Sequence, residues 1–336
     1  MKLHDVSWPT QSELERGLVA WLDTLPGASW LTLPGRDQSR HRVVVTLLHG
    51  NEPSGTKALW HFFHQPFECA VTTHFCLANV NAALFDTPFS TRHLENKPDM
   101  NRCFGRNGDD DSYDVAAAIM ARIRALKPEA VVDIHNTSGS GPSFAVTIVD
   151  DEKHRHVSSL FTERMLCSSV RLGALMEQTS EETPILTIEC GGAQDIAADE
   201  VAKNGLHHFL HADDIFQNHT GFWPLDLLYH PVRVQLKLEL ELCYHDRKVD
   251  EADLTLPPDI DRHNFGWMAA DSMIGWLGAK GLDAMTTNDG EGGHPIDALF
   301  YEQDGELRLK QASKLFMITT RRDIALSDCL FYMVVD

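Results

Sequence analysis

The strongest constraint on the fold is a series of short, continuous apolar runs alternating with helix-like stretches over the first two-thirds of the chain. Arg42–Leu48 (RVVVTLL) is β-branched and unbroken, the pattern of a strand buried on both faces. It ends at His49-Gly50, and Ser54–Phe63 then reads as a helix with Ser54 as its N-cap. Phe75–Asn79, Ala130–Ile134, Phe144–Val149 and Ile185–Ile188 continue the strand series. Tyr113–Leu126 places Val115, Ile119, Ile123 and Leu126 on one helical face, and Ile196–Phe216 closes the series as a long helix. Strands that alternate with helices predict an α/β fold: a mostly parallel or mixed sheet with helices on both faces.

The pattern changes after the turn expected at Gly221-Phe222-Trp223-Pro224. Val232, Val234, Leu236, Leu238, Leu240 and Leu242 alternate with polar residues, a period of two that predicts one half-exposed antiparallel strand. Short strand-like runs at Leu315–Thr319 and Leu330–Val335 follow among Gly- and Asp-rich turns. The expected organisation is therefore a domain over residues 1–225 and a smaller, mainly β domain over 226–336. A length of 336 residues suits that division.

Charge and cysteine content exclude several function classes. A formal net charge of −20 sets up a field that repels nucleic acid and anionic membranes, while leaving a small anionic substrate open if arginines line its pocket. No basic stretch followed by an apolar run opens the chain, and no segment nears the roughly 18 uninterrupted apolar residues of a membrane span. The seven cysteines are scattered and include no Cys-x-x-Cys pair, as expected of reduced thiols in a soluble, cytoplasmic protein.

Catalytic groups of open α/β sheets gather beyond the carboxyl ends of the strands. Three segments here occupy such places: His49-Gly50-Asn51-Glu52, Asp133-Ile134-His135-Asn136-Thr137 and Ile188-Glu189-Cys190-Gly191-Gly192. His49 and Glu52 form a His-x-x-Glu pair. With His135 they make a His₂Glu set of the kind that holds a catalytic zinc and leaves one position open. These ligand types favour zinc without excluding cobalt, manganese or nickel. Among 18 histidines one such pair arises by chance, so spacing leaves a packed-histidine reading open beside the metal reading.

A carboxylate at the end of a buried strand is costly unless it is paired or functional, which makes Glu189 either a proton carrier or a capping residue. Asn101-Arg102 offers an amide and a planar guanidinium to a carboxylate, or else a surface ion pair. His207, His208 and His211 fall on the expected closing helix and read as a solvated face. Cys103 and Cys190 read as small buried hydrophobes.

The strings HGNEPSG (His49–Gly55), DMNRCF (Asp99–Phe104), DIHNT (Asp133–Thr137) and IECGG (Ile188–Gly192) resemble, in order and separation, the signature blocks of the succinylglutamate desuccinylase/aspartoacylase family. The resemblance implies a zinc carboxypeptidase-like catalytic domain followed by a small β domain. It implies one zinc per chain on His49, Glu52 and His135, with Glu189 as general base and acid. It further implies that Asn101 and Arg102 grip a carboxylate of a small anionic N-acyl substrate, with Asn136 and Thr137 shaping the pocket wall. Members commonly carry another arginine eight positions before that of the Asn-Arg pair, to polarise the scissile carbonyl. Leu94 stands there in this chain, and Arg92, within Thr87–Pro98, is the nearest substitute; Lys97 and Arg106 are weaker ones. Hydrolysis of the amide of an N-acyl amino acid is the function implied, with a peptide-cleaving zinc carboxypeptidase or an inactive binding module as alternatives. The second domain would either shield the pocket or form the interface of a homo-oligomer.

Overall fold

The computed structural model describes residues 2–65, 68–217 and 224–335. The chain forms two compact units. One comprises Met1–Asn136, Ser143–Leu166 and Arg171–Leu227; the other comprises Thr137–Pro142, Cys167–Val170 and Leu228–Asp336.

Among the described residues, the first unit is built on a nine-stranded sheet. Its strands are β1 (His4–Asp5), β2 (Ser29–Leu33), β3 (Gly35–Thr46), β4 (Cys69–Leu77), β5 (Val131–Thr137), β6 (Phe144–Thr147), β7 (Arg164–Cys167), β8 (Ile185–Gly192) and β9 (Asp226–Tyr229), in the order β1-β2-β4-β3-β5-β8-β6-β7-β9. β3 runs parallel to both β4 and β5, whereas β2 pairs antiparallel with β4 and β6 antiparallel with β8, so the sheet is mixed.

The helices of this unit are α1 (Gln11–Arg16), α2 (Leu18–Leu22), α3 (Ser54–Phe63), α4 (Val80–Leu84), α5 (Asp111–Leu126), α6 (Glu152–Ser159) and α7 (Ile196–His211). Pleat parity distributes the strand residues between two cores. Val44, Val132, Ile134, Leu186 and Ile188 pack with Leu59 and Phe62 of α3 and with Leu206, Phe209 and Leu210 of α7. Val43, Val45, Val131 and Ile185 face the other way, against Val115, Ile119 and Ile123 of α5. The uninterrupted hydrophobicity of β3, β5 and β8 follows from this double coverage, each fully buried aliphatic side chain contributing about 1.5–3 kcal/mol.

Local departures from the expected boundaries lie near the strand ends. β3 stops at Thr46 because buried Leu47 takes a left-handed backbone (φ 56°), which turns the chain towards His49. α3 is not capped by Ser54. Pro53 occupies the N-cap, and Ser54 N donates to Asn136 Oδ1 of β5 at 3.1 Å while Ser54 Oγ donates to Asp199 Oδ1 of α7 at 2.6 Å. α7 ends at His211, where Ala212 turns extended. No described helix is long and apolar enough to cross a membrane.

The second unit contains two five-stranded sheets. One orders Trp267–Met268, Ser313–Phe316, Phe331–Val335, Val232–Leu236 and Met285–Asn288; the other orders Leu242–Tyr244, Leu254–Leu256, Met273–Leu277, Glu306–Leu309 and Phe300–Gln303. The single strand expected over Val232–Leu242 is two strands in different sheets. Glu239 adopts φ 65° in the turn between them, and Leu238 is 86% exposed. Most of the turn expected at Gly221–Pro224 lies outside the described residues.

Candidate active site

Chain crossovers bring His49, Glu52 and His135 together at one end of β3 and β5. All three are buried, and one potential ligand atom from each lies within 4.8 Å of the others. Among the described residues this is the one such group of three or more His, Cys, Asp or Glu side chains. Glu52 stands between the two rings. Its Oε1 lies 2.8 Å from His49 Nδ1 and its Oε2 lies 2.6 Å from His135 Nδ1. Oε2 also accepts from Asn136 N at 3.2 Å, and the carboxylate immediately precedes the N-terminal turn of α3, where the helix dipole favours negative charge.

The far nitrogen of each ring meets a second carboxylate. His49 Nε2 lies 2.9 Å from Asp99 Oδ1, and His135 Nε2 lies 2.7 Å from Asp133 Oδ2. Carboxylates only accept, so each imidazole must donate from both nitrogens and carry a positive charge in this arrangement. Burial pulls both imidazoles down, but the carboxylates prevail: Asp99 and Glu52 hold His49 above its ordinary value, and Asp133 and Glu52 hold His135 well above it. Burial works to raise the Glu52 carboxyl, and the two facing imidazoles nevertheless hold it far below the carboxylate range.

This charge pattern fits a divalent cation. Exchanging the two Nδ1 protons for one dication leaves the total charge unchanged and retains both Nε2–H bonds to Asp99 and Asp133. Such outer carboxylates fix ring orientation and raise ligand basicity at metal centres. The donor set is that of a catalytic zinc site. Asp99 and Asp133 are the functional residues that sequence reading passed over. Asp133 was legible in principle, because positions i and i+2 of a strand share a face with His135.

Glu189 lies on β8, the neighbour of β5, opposite Phe144 of β6. It is 8% exposed, and Oε2 has no hydrogen-bond partner. Burial pushes its carboxyl up to about 7, against the opposing influence of His135 and with Glu52 adding to the rise. A carboxyl of that acidity exchanges protons near neutral pH.

Arg92 reaches the same site from the loop after α4. Nη1 donates to Glu52 Oε1 at 3.3 Å, while Nε and Nη2 donate to Asp99 Oδ2 at 3.3 and 3.1 Å. Lys97 is paired elsewhere, with Asp110 at 2.9 Å and Asp111 at 2.7 Å. Asn101 and Arg102 lie on a short 3₁₀ turn, Met100–Arg102, capped by Asp99. The Asn101 amide is anchored through Oδ1, which accepts from Leu175 N at 3.0 Å, and this leaves Nδ2 beside the His135 ring, 3.5 Å from Nε2. Arg102 Nη1 donates to Asn101 O at 2.9 Å, and its charge helps depress Asp99.

Asn136 ties β5 to α3 and β8, its Nδ2 donating to Ser54 Oγ at 2.9 Å and Gly191 O at 3.0 Å. Thr137 Oγ1 donates to Gly139 O at 2.6 Å within its own loop. His207 and His208 are exposed on α7, and Cys103 and Cys190 are buried without disulfides.

No protein-family model matches the chain, and no curated protein matches it by sequence. Solved structures do. A succinylglutamate desuccinylase/aspartoacylase from Rhodobacter sphaeroides aligns over 85% of this chain and 81% of its own, with TM-score 0.54 and 14% identity. The succinylglutamate desuccinylase from Chromobacterium violaceum aligns over 96% and 98%, with TM-score 0.54 and 14% identity. A product-bound ectoine utilization protein, EutE (DoeB), from Ruegeria pomeroyi aligns over 84% and 81%, with TM-score 0.52 and 15% identity. At these identities the likeness is one of architecture, and the chain carries the fold of the succinylglutamate desuccinylase/aspartoacylase proteins.

Proposed function

We propose that the chain is a zinc-dependent hydrolase that cleaves the amide bond of an N-acyl amino acid or a related small, anionic N-acyl compound. The observation that carries this reading is the buried His49–Glu52–His135 cluster with the unpartnered Glu189 carboxyl on the neighbouring strand. The fold shared with succinylglutamate desuccinylases supports it.

His49, Glu52 and His135 would hold the ion through the two Nδ1 atoms and the carboxylate. When bound, zinc supplies Lewis acidity and lowers the pKa of a water to about 7. Glu189, whose buried Oε2 has no hydrogen-bond partner, would accept a proton from the attacking water and return it to the departing nitrogen. Asp99 and Asp133 keep both rings turned with Nδ1 inward. Arg92 offers a guanidinium to the oxygen on which negative charge develops. Arg102 receives the substrate carboxylate, and Asn101 shapes the adjoining wall. These two cations let an anion enter a protein whose net charge of −20 disfavours nucleic acid and anionic membranes. The free thiols suit a cytoplasmic setting.

The test is release of free amino acid by zinc-loaded protein from a panel of N-acetyl, N-succinyl and N-formyl amino acids and short peptides, alongside Glu189→Ala. Release from one acyl class, lost in the variant while zinc stays bound, is the expected result. Near-normal turnover by the variant would remove Glu189 from the mechanism. A preference for peptides would make the chain a carboxypeptidase instead.

A further inference from the structure

Asp99 stands where three parts of the site meet. Its Oδ1 faces His49 Nε2 at 2.9 Å and also accepts from Asn101 N at 2.8 Å, capping the turn that carries Asn101 and Arg102. Its Oδ2 accepts from Arg92 Nε and Nη2 at 3.3 and 3.1 Å. The Arg92 carbonyl is fixed independently, accepting from Gly50 N at 2.9 Å. A guanidinium is a rigid planar fork, so two N–H groups spent on one carboxylate oxygen settle its plane. Nη1 is then the edge presented to Glu52 Oε1 at 3.3 Å.

We infer that Asp99 is a positioning residue for both halves of the candidate chemistry: one oxygen orients the His49 ring, and the other holds the Arg92 guanidinium edge-on to Glu52. The inference rests on the zinc hydrolase reading for its activity arm only. It accounts for an arginine arriving from position 92, with Leu94 at the commoner offset, because the spatial address of the guanidinium is set by Asp99 and not by chain spacing. It also separates the two residues by sign. Asp99 stabilises a cation-binding His49, whereas Arg92 places a positive charge beside Glu52 and His49 and opposes a dication there.

The experiment uses the full chain stripped with chelator and compares Asp99→Asn, Arg92→Gln and the double variant. Zinc affinity, read by competition with a chromogenic chelator, is expected to fall about 10–100-fold in Asp99→Asn and not to fall in Arg92→Gln. At saturating zinc, both single variants lose turnover of the substrate found in the panel, and the double variant loses no more than Arg92→Gln alone. Losses that multiply, or full turnover of zinc-saturated Asp99→Asn, overturn the proposal. A purely structural aspartate would lower stability and zinc affinity without that failure of additivity.

The Arg92 Nε–H resonance supplies a readout free of catalysis. It should exchange slowly with water in the native protein and rapidly in Asp99→Asn, and persistence in the variant overturns the proposal. Should Asp99→Asn not fold, Arg92→Lys replaces it, because an ammonium keeps the charge without the fork. Wild-type turnover in Arg92→Lys would defeat the positioning role. If the native chain hydrolyses nothing in the panel, the hydrolase reading fails, while the zinc-affinity contrast and the Nε–H exchange still decide the role of Asp99.

Discussion

Replacing Glu189 with glutamine should stabilise the metal-free protein at alkaline pH while abolishing its turnover. Burial raises the Glu189 carboxyl from an ordinary 4.5 to about 7, so the folded protein holds that proton more tightly than the unfolded chain. Its contribution to stability is complete below 4.5, falls as pH rises, and is lost above about 7. One pKa unit corresponds to 1.36 kcal/mol, so ionising Glu189 in the folded state costs about 3 kcal/mol at pH 8. Glutamine has nearly the same shape and cannot ionise. The assay is urea denaturation of native protein and Glu189→Gln in excess chelator at pH 5 and pH 8. The variant should gain about 2.5 kcal/mol relative to the native protein between the first pH and the second, since part of the contribution is already lost at pH 5. Any constant cost of fitting the amide appears at both pH values and cancels. A stability difference that is the same at pH 5 and pH 8 would refute the reasoning, since it would mean that Glu189 has the same proton affinity folded and unfolded.

Zinc uptake at pH 7 should release on the order of two protons, because each ring of His49 and His135 faces a carboxylate oxygen from both nitrogens and the ion would displace the proton on Nδ1. Calorimetry in buffers of different ionisation enthalpy measures this, affinity should weaken as pH falls, and uptake without proton release would contradict the assigned ring states. Gly50→Ala should cost about 1–3 kcal/mol and weaken zinc binding. A Cβ there would approach Ala83 N to 2.4 Å, the Ala82 carbonyl carbon to 2.5 Å and Thr91 O to 2.7 Å, all backbone atoms that cannot swing aside. Unchanged melting and zinc affinity would show that the turn carrying His49 and Glu52 tolerates the shift.

What the chain discloses by inspection is what local physics dictates. β3, β5 and β8 are visible because strands covered on both faces have to be apolar at every position. His49, Glu52, His135 and Glu189 are visible because each polar group stands just after such an apolar run or at its C-terminal part: His49 and Glu52 past β3, His135 within β5 and Glu189 within β8. Asp99 is not, since its partner His49 lies 50 positions away and only the crossover between β3 and the loop after α4 unites them. The acceptor for the first N–H of α3 is hidden for the same reason: it is Asn136 Oδ1, 82 positions from Ser54. The alternation from Val232 to Leu242 misleads in another way, because hydropathy with a period of two is indifferent to the left-handed turn at Glu239 that sends its halves into separate sheets.

Arg92 shows how a folded loop separates distance in space from spacing along a chain. The loop between α4 and Asp99 contains three non-glycine residues with left-handed backbones, Asp86, Phe89 and Asn96, each a sharp local reversal. It is pinned where Phe89 N donates to Ala83 O at 2.7 Å and Gly50 N donates to Arg92 O at 2.9 Å. In a loop folded on itself in this way, the number of residues between two side chains bears little relation to the distance between them. The site holds a guanidinium within reach of Glu52 and braced by the Asp99 carboxylate. Arg92, ten positions before Arg102, stands in that place. A comparison by sequence register stops at Leu94; distances find a guanidinium beside Glu52 and Asp99 all the same, that of Arg92. For a chain 14% identical to structures of its own fold, the residues of a site are therefore found by the distances between them and not by their spacing along the chain.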